Sequence, residues 1–377
     1  MSSSMQGKLL SPVLMLGAAA ETRGSIAAVV DAYRVHGFFR RWPVEYLETH
    51  SSGGLLQDAR QTLKAVAHFA SRLARERRAA VHVHSTARTF WRDTPFIAAA
   101  LLARCPVILQ LHGGGFERLH DAASTPARAA LHAILERASG IVVPAESLRG
   151  WVRRMHRNAP VYCIPSPVNV PQVRRDAPRG NVVLFLGRLD AAKGIFDLLE
   201  AVAALRGSIP DLRLVCAGEG DRAAVARYAE RLGIRDSVKF TGWVGPSGKR
   251  ALLESAAVFA LPCYSAGMPM SLLEAMSAGI PAIAAPVGGI PEVLTDGVSG
   301  MLVAPGDTAT LSRNLRKLLV EPDFAQRIGA AARESVRLKH SAERTVAKLE
   351  ELYASLGIEG TGARHSAPPH LDLRKAA

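Results

Sequence analysis

Two cations lie five residues apart near the middle of the chain, directly after a short apolar segment. Arg188 and Lys193 follow the apolar run 182–186 and belong to the pairs Gly-Arg and Lys-Gly. We expect that run to be a buried strand and Lys193 to lie at the first turn of the next helix, so both cations would lie near the strand's carboxyl end. A guanidinium group and an ammonium group placed in this way can converge on one pyrophosphate. The pair therefore predicts a site for a diphosphate.

A second anion site is predicted where a strand, a loop and a helix follow one another. The apolar run 256–261 leads into a loop with Gly267 and Pro269, and a helix is expected over 271–278. The first amides of a helix lack partners and lie at the positive end of its dipole, so this turn favours an anion. Glu274, inside that helix, is placed to accept a hydrogen bond from a sugar or ribose hydroxyl. An ordinary strand–helix unit would have the same pattern, so the stretch alone leaves both readings open.

Three histidines lie in or beside two further expected strands. His112 follows the apolar run 107–111 and begins a turn of three glycines. Ligands of open α/β sheets bind at the carboxyl ends of the strands, which makes His112 a candidate binding residue. His82 and His84 would share one face of the strand 80–84, because side chains alternate along a strand. No carboxylate or third ligand is close to them in the sequence, so a structural role is favoured over a metal site.

Apolar runs alternate with segments of helical periodicity along the whole chain. This alternation predicts an α/β protein with two doubly wound parallel sheets. In the first half we expect strands at 9–16, 80–84, 107–111, 140–143 and 161–164, and a helix at 26–35 with Ser25 as its N-cap. In the second half we expect strands at 182–186, 212–217, 238–240, 257–261 and 281–284, with helices at 195–206, 222–232, 247–255, 271–278, 308–319, 322–338 and 342–356. The proline-rich crossing 165–171 and the charged stretch 174–179 predict a linker between the halves.

Composition favours a protein with two substantial cores. The chain has 377 residues, of which 48% are hydrophobic and 21% charged, a length that suits two ordinary domains. Its four cysteines form no C-x-x-C pair, so we expect buried free thiols in a reducing compartment.

The apolar segment 9–20 follows Lys8 and could pass as a secretory signal, but Pro12 and Gly17 interrupt it and a first strand is the preferred interpretation. No apolar run approaches the length of a membrane span.

Positive charge is concentrated in the first half of the chain. The net charge of the whole chain is +14, and residues 1–170 hold 21 Lys and Arg against 11 Asp and Glu. The segment 61–78 is predicted to be an amphipathic helix with an apolar face of Leu63, Val66, Ala67, Ala70, Leu73 and Ala74 and cations at Lys64, Arg72, Arg75, Arg77 and Arg78. Contact with an anionic membrane and a solvated charged face are both compatible with this pattern. A nucleic acid partner is not expected, because aromatic residues make up only 6% and no recognition motif occurs.

Three segments together carry a family resemblance. They are 182–194 with its Gly-Arg and Lys-Gly pairs, 212–221 with a terminal Gly-acid-Gly turn, and 259–292 with the sequence Leu-Leu-Glu-Ala. In this order and spacing they resemble the C-terminal domain of the retaining, nucleotide-sugar-dependent glycosyltransferases of family 4, which have the GT-B fold. The resemblance covers most of 181–307 and, more weakly, the N-terminal half.

The resemblance implies a division of the chain into two Rossmann-like domains that face a cleft. Residues 1–170 would form the acceptor-side domain and residues 171–340 the nucleotide-sugar-binding domain. A helix at 341–358 would cross back to the first domain, and 359–377 would be a disordered tail.

The same resemblance assigns roles to individual residues. Arg188 and Lys193 would stabilise the charge that develops on the leaving diphosphate, and His112 would hydrogen-bond the transferring sugar. The donor-binding residues would be Gly24, Ser25, Arg188, Lys193, Val244, Met270, Ser271, Leu272, Leu273 and Glu274. Within that set, Glu274 would hold the ribose and the backbone of Val244 would contact the base. No D-x-D motif occurs where a metal-dependent transferase would need it, so we expect neither a metal nor a cofactor.

The chain departs from the family pattern at one position of the site. Glu274 should be preceded by another glutamate at the position of Ala266. The missing carboxylate normally bonds hydroxyls of the donor sugar. Ser265 or Glu292 could substitute, the donor sugar could dispense with the contact, or the enzyme could be weakened. The usual Asn-Gly pair of the interdomain crossing is also absent.

The resemblance, together with the absence of a D-x-D motif, implies a metal-independent hexosyltransferase that acts with retention. It would move a sugar from a nucleotide-diphosphate sugar to a saccharide or polyprenyl-linked acceptor, in the cytoplasm or at the inner face of the cell membrane, in cell-surface polysaccharide synthesis. The main alternative is a weakened GT-B protein that acts as a partner in a polysaccharide assembly system, with Ala266 as its support. Another GT-B enzyme, a phosphorylase or an epimerase, fits the motifs less well.

Overall fold

The computed structural model describes residues 12–19, 24–50, 55–76, 79–171 and 180–361, with side chains described from residue 60 onwards in the segment 55–76. The expected linker stretch 174–179, the cations Arg77 and Arg78, and almost all of the expected tail lie outside the described residues.

The first half forms one sheet of six parallel strands with helices on both faces. The strands are β1 Val13–Ala18, β2 Val44–His50, β3 Ala80–Thr86, β4 Val107–His112, β5 Gly140–Val143 and β6 Val161–Cys163, in the spatial order β2-β1-β3-β4-β5-β6. The helices are α1 Ser25–Val35, α2 Phe38–Arg41, α3 Leu55–Arg75, α4 Phe90–Leu102, α5 Phe116–Ala122, α6 Thr125–Arg137 and α7 Glu146–Met155. The register pairs Thr86 with His112, so β3 and β4 end side by side.

The second half repeats this architecture. Its strands are β7 Val182–Leu186, β8 Arg213–Ala217, β9 Val238–Gly242, β10 Val258–Leu261, β11 Ala282–Ala284 and β12 Met301–Leu302, in the order β12-β11-β10-β7-β8-β9. The helices are α8 Ile195–Leu205, α9 Arg222–Arg231, α10 Pro246–Ser255, α11 Met270–Ser277, α12 Ile290–Val293, α13 Thr308–Val320, α14 Pro322–Lys339 and α15 Ala342–Ser355. A 3₁₀ turn, Ala191–Lys193, precedes α8.

The strands are continuous apolar runs because helices cover both faces of each parallel sheet. All four residues of β10 and all six of β4 are buried. The prediction of two doubly wound parallel sheets is confirmed by the observed strand orders.

Helix α15 joins the two halves. It follows α14 of the second half, yet Leu349 and Tyr353 are buried in one cluster with Val13 and Met15 of β1. Its Glu350 carboxylate accepts hydrogen bonds from Arg41 Nε at 2.6 Å and Trp42 Nε1 at 3.1 Å. The last described helix therefore packs on the first sheet.

Three details of the first half differ from expectation. β1 begins at Val13 and ends at Ala18 rather than spanning 9–16, of which 9–11 lie outside the described residues. Gly24 is the N-cap of α1, and Ser25 is the first helical residue and makes no side-chain capping bond. Helix α3 packs on the core of the first domain through Ala65 and Phe69, with Leu73 partly buried beside them, while Leu63 and Val66 of the predicted apolar face are exposed.

Candidate functional site

The two predicted cations are held near each other by Asp190, which the sequence analysis did not single out. One oxygen, Oδ2, forms an ion pair with Arg188, 3.0 Å from its Nε. The other, Oδ1, accepts from the backbone amide of Lys193 at 3.1 Å and caps the 3₁₀ turn. The Arg188 side chain is 55% exposed, so its guanidinium group keeps donors available for a ligand.

Glycines let the backbone of this site close tightly. Gly194 has φ +70°, and a Cβ placed there would lie 2.0 Å from the carbonyl oxygen of Pro262, at the end of β10. Gly218 has φ +142°, and a Cβ there would lie 2.0 Å from the carbonyl oxygen of Gly187. Only glycine fits such positions. The Lys-Gly pair and the Gly-acid-Gly turn thus bring the ends of β7, β8 and β10 together.

Lys193 also reaches the loop that leads into α11. Its Nζ donates to the backbone oxygen of Ser265 at 3.1 Å, and its charge lies close enough to Cys263 to oppose the rise in that thiol's pKa that burial causes. The cation that follows β7 and the loop that follows β10 therefore form one edge of the second sheet.

The N-terminus of α11 supplies backbone donors at this edge. Pro269 is the N-cap, and the first helical bond runs from the amide of Leu273 to the Pro269 oxygen. The amides of Met270, Ser271 and Leu272 precede that bond and have no helical acceptor. The side chains of Leu272 and Leu273 are fully buried in the core, so these two predicted residues can act only through their backbone.

Glu274, the predicted ribose ligand, is paired with a lysine that sequence reasoning missed. Its Oε1 accepts a hydrogen bond from Lys249 Nζ of α10 at 2.6 Å, and its side chain is only 16% exposed. Val244, the predicted base contact, lies in the loop before α10 and packs beside Gly248, next to Lys249. The structure thus links the predicted ribose and base contacts through α10.

The glycine-rich turn after His112 packs against the loop before α11. A Cβ added at Gly267 would lie 2.1 Å from the amide nitrogen of Gly114 and 2.2 Å from Cα of Gly113. Arg118 of α5 donates a hydrogen bond to the hydroxyl of Ser265. The sequence analysis missed Arg118, because nothing along the chain connects it to a loop 147 residues away. The two domains are therefore in contact at this point, and Ser265 bonds one cation from each.

Neither substitute proposed for the missing glutamate is unengaged. The hydroxyl of Ser265 is bonded to Arg118. The two oxygens of Glu292 accept hydrogen bonds from the backbone amides of Glu146 at 2.7 Å and Ser147 at 2.9 Å, at the N-terminus of α7. A carboxylate at a helix N-terminus is favourably placed, so Glu292 has a structural role between the domains.

His112 ends a buried row of three imidazole rings. Its Nε2 lies 2.8 Å from Nδ1 of His84, whose ring stacks on His82 with 4.6 Å between centroids. His82 Nδ1 bonds the hydroxyl of Tyr353 on α15 at 2.7 Å. Burial lowers the pKa of His82 and of His112 to about 3, and it lowers the pKa of His84 well below its ordinary value. All three rings are therefore neutral near pH 7.

Gly24 and Ser25 lie at the start of α1, at the same edge of the first sheet as His112. β1 is separated from β4 by β3, so the turn is displaced from His112 by two strand spacings, roughly 10 Å. The Gly24 oxygen accepts the first helical bond of α1, from Ala28 at 3.3 Å. Residues 20–23 of the same loop lie outside the described residues. A Cβ added at Gly24 would meet no atom within 4 Å, so Gly24 does not touch the cluster around Ser265.

The chain is similar in sequence to a family of glycosyl transferases and to several of its relatives. Residues 171–335 match the family model described as "Glycosyl transferases group 1". The chain is 32% identical over 206 residues to the phosphatidyl-myo-inositol mannosyltransferase of Mycobacterium leprae, a match that covers 52% of this chain and 54% of that protein. Matches with two further curated relatives cover 45% and 35% of those proteins, so the chain spans about half or less of their length.

Two solved structures share the fold over most of the chain. Sucrose-phosphate synthase from Thermosynechococcus elongatus has a TM-score of 0.74 at 21% identity, covering 92% of this chain and 98% of that chain. Anabaena HepE in complex with UDP-glucose has a TM-score of 0.71 at 17% identity, covering 91% and 99%.

Fold and site together define the class. Two Rossmann-like domains whose strand ends face each other are the GT-B architecture, as predicted. Within that architecture, residues 171–335 match the model of the group 1 glycosyl transferases.

Proposed function

We propose that the protein is a retaining glycosyltransferase that uses a nucleoside diphosphate sugar. The observation that carries this proposal is the convergence around Ser265: Lys193 bonds its oxygen at 3.1 Å, Arg188 is tied to Lys193 through Asp190, and the unpaired amides of α11 follow a few residues on. A diphosphate carries the charge that such a set of donors favours.

The proposed mechanism places charge stabilisation on the second domain. As the bond between the sugar and the diphosphate breaks, negative charge develops on the outer phosphate, and the guanidinium and ammonium groups of Arg188 and Lys193 stabilise it. These two cations, together with the absence of a D-x-D motif, support catalysis without a metal. Glu274, oriented by Lys249, accepts hydrogen bonds from the ribose, and the backbone of Val244 contacts the base.

Retention follows from the family resemblance and needs no protein nucleophile. The departing phosphate takes the proton of the acceptor hydroxyl while that hydroxyl attacks the same face of the sugar. His112 then acts as a hydrogen-bond partner of the transferring sugar, since its ring is neutral and buried. Gly24 and Ser25 would approach the donor or the acceptor from α1.

We propose a saccharide or polyprenyl-linked acceptor at an anionic membrane surface, in cell-surface polysaccharide synthesis. Helix α3 supports this proposal, because the face it turns away from the sheet carries Leu63 and Val66, which are 70% and 42% exposed. The cations Lys64 and Arg75 of the same helix are also exposed. Such a face suits the surface of anionic lipid. Among the described residues, no helix is long and apolar enough to cross a membrane.

Vesicle sedimentation tests the membrane contact. We expect the protein to sediment with anionic vesicles and much less with neutral ones, and the double variant Leu63→Glu/Val66→Glu to stay in the supernatant. Leu102→Glu is the matched control, because Leu102 is 84% exposed on α4. Equal sedimentation of the double variant and the wild type would contradict contact through α3.

Turnover of a donor panel tests the enzymatic proposal. The protein is incubated with UDP-, GDP-, ADP- and dTDP-sugars, and release of the free nucleoside diphosphate is measured. We expect release from sugars of one base, reduced about 100-fold or more in Lys193→Ala because a charge-stabilising donor is lost. Lys239→Ala, at an exposed position on β9, is the control and should behave like the wild type.

The non-catalytic alternative rests on Ala266, where the site has a methyl group in place of a carboxylate. If a nucleotide binds but no donor is turned over, a partner role in polysaccharide assembly becomes the better account. If Ala266→Glu then creates turnover, the loss of activity is assigned to that position.

A further inference from the structure

The row of buried histidines contains a hydrogen-bond pattern that the proposed function does not use. His84 and His112 lie on neighbouring strands, β3 and β4, and share a single bond between Nδ1 of His84 and Nε2 of His112 at 2.8 Å. Their rings stack with 5.0 Å between centroids. His82 stacks on the other side of His84 and is tied to Tyr353 of α15. The ring of His84 is therefore held between two other rings.

Only two hydrogen arrangements are compatible with this bond. A neutral imidazole has one N–H donor and one acceptor nitrogen, and burial keeps these rings neutral by lowering their pKa. Either His84 donates from Nδ1 to Nε2 of His112, or His112 donates from Nε2 to Nδ1 of His84. In the first arrangement the hydrogen outside the bond lies on Nδ1 of His112, and in the second it lies on Nε2 of His84.

The far nitrogen of His84 decides between them. Nε2 of His84 is buried and has no hydrogen-bond partner. If His112 were the donor, His84 would carry its hydrogen on Nε2, as a buried N–H without an acceptor. Unpaired buried N–H groups are rarer than unpaired acceptors, because a buried donor without a partner is not compensated for its lost bonds to water. The arrangement with a bare Nε2 avoids that cost, so His84 donates to His112.

We propose that His84 is a positioning residue that holds His112 in the tautomer with its hydrogen on Nδ1. With Nε2 occupied by His84, Nδ1 is the one ring nitrogen of His112 left to meet a ligand, and in this tautomer it is a donor. Resting on the proposed function, this makes His112 a hydrogen-bond donor to an oxygen of the nucleotide sugar, rather than an acceptor of a sugar hydroxyl proton. Because the ring is neutral, it donates without adding a third positive charge to the site.

Nitrogen NMR of selectively ¹⁵N-histidine-labelled protein tests the tautomer directly, without any substrate. His112→Ala assigns the His112 signals, and the ring nitrogen that carries hydrogen is read from its chemical shift. We expect hydrogen on Nδ1 in the wild type and in His84→Asn, whose amide N–H can replace the donor. In His84→Phe, which keeps a ring to stack but has no donor, His112 should no longer be held in that form.

The wild-type protein settles the point even if His84→Phe fails to fold. Hydrogen on Nε2 of His112 in the wild type would overturn the proposal, as would an unchanged His112 tautomer in folded His84→Phe. His68→Phe is the control, since His68 is half exposed on α3 and bonds Glu45; it should leave the His112 signals in place.

Kinetics test the consequence for transfer. We expect kcat to fall about tenfold in His84→Phe, the equivalent of one hydrogen bond, with little change in the Kd of the nucleotide and with recovery in His84→Asn. His84→Phe/His112→Ala should be no slower than His112→Ala alone. An additive loss would show that His84 acts independently of His112. Failure of every nucleotide to bind would refute the proposed function and leave the NMR result unaffected.

Discussion

The two domains have the same architecture, but different kinds of side chain lie at the carboxyl ends of their strands. At the edge of the second sheet, Arg188, Lys193 and Lys249 are partly exposed and bonded through single acceptors, Asp190, Ser265 and Glu274. At the edge of the first sheet, His84 and His112 are buried, neutral and bonded to each other. The edge of the second sheet thus offers positive charge, and the edge of the first sheet offers fixed, uncharged hydrogen bonds.

The two parts of a transfer reaction, binding the diphosphate and positioning the sugar, need different kinds of side chain. A diphosphate needs cations whose donors are available, and those must stay near solvent, because a buried unpaired charge is destabilising. A sugar hydroxyl needs a neutral group at a fixed position, and burial supplies both neutrality and fixation. We therefore expect changes in the second domain to alter nucleotide affinity, and changes in the first domain to alter transfer.

The contact between the domains gives the largest expected effect. Gly267→Val places a side chain where Gly113 and Gly114 lie about 2 Å away, so the two edges can no longer meet. We expect transfer to fall roughly 100-fold, as reacting groups displaced by about 1 Å do, while nucleotide binding to the second domain persists. The measurement pairs donor turnover with calorimetry.

A glycine in open space provides the control for that variant. Gly207 follows α8, and a Cβ there meets no atom within 4 Å, so Gly207→Ala should leave both readouts unchanged. Parallel losses of binding and transfer in Gly267→Val would mean that the two domains do not divide the work.

The buried histidines predict how the stability depends on pH. Their folded pKa lies below the value of 6.5 in the unfolded chain, at about 3 for His82 and His112. The unfolded chain therefore binds more protons, and stability falls as the pH drops below 6.5, by about 1.4 kcal/mol per pH unit for each such histidine. Urea unfolding at pH 7, 6 and 5 measures this slope.

One carboxylate opposes that slope. Burial raises the pKa of Asp93 to about 6, against hydrogen bonding from Ser85, so protonation of Asp93 between pH 6 and 4 favours the folded chain. In a His82→Phe variant, the free energy of unfolding should fall less steeply as the pH drops below 6.5. If it falls as steeply as in the wild type, His82 is not held neutral by the fold.

The smallest expected effect concerns the orientation of Glu274. Lys249→Met removes the 2.6 Å bond to Oε1 but keeps the length of the side chain. The carboxylate is then no longer fixed, and we expect the Kd of the nucleotide to rise about fivefold, which corresponds to roughly 1 kcal/mol. Lys239→Met is the control. A tighter complex would indicate that Lys249 competes with the ribose for Glu274.

The second domain could be predicted from sequence almost element by element. Strands such as β7 and β10, covered on both faces, are continuous apolar runs, and glycines such as Gly194 and Gly279 mark where helices begin and end. The observed bounds of the predicted elements differ from the expected ones by at most two residues, while the short elements α12 and β12 were not predicted. Local composition is sufficient to predict these strands because both of their faces are buried. The sequence does not have to show which face points into the core.

The first domain was harder to predict because its edges are mixed in character. β2 lies at the edge of the sheet and mixes polar and apolar residues without a regular period, and it was not predicted. Helix α3 buries Ala65 and Phe69 while Leu63 stays exposed, a choice that the apolar pattern does not reveal. Contacts between distant segments, such as Arg118 with Ser265 and His84 with His112, have no local signal at all.

Calorimetric titration with UDP, GDP, ADP and dTDP tests the central claim most directly. Wild-type protein is compared with Arg188→Ala and with Arg206→Ala, an exposed arginine at the other end of α8 from Lys193. The account predicts that one nucleotide binds the wild type and Arg206→Ala equally well and binds Arg188→Ala at least tenfold more weakly, as loss of a charge-assisted hydrogen bond implies. Binding of none of the four, or equal binding by all three proteins, would contradict a diphosphate site at Arg188 and Lys193.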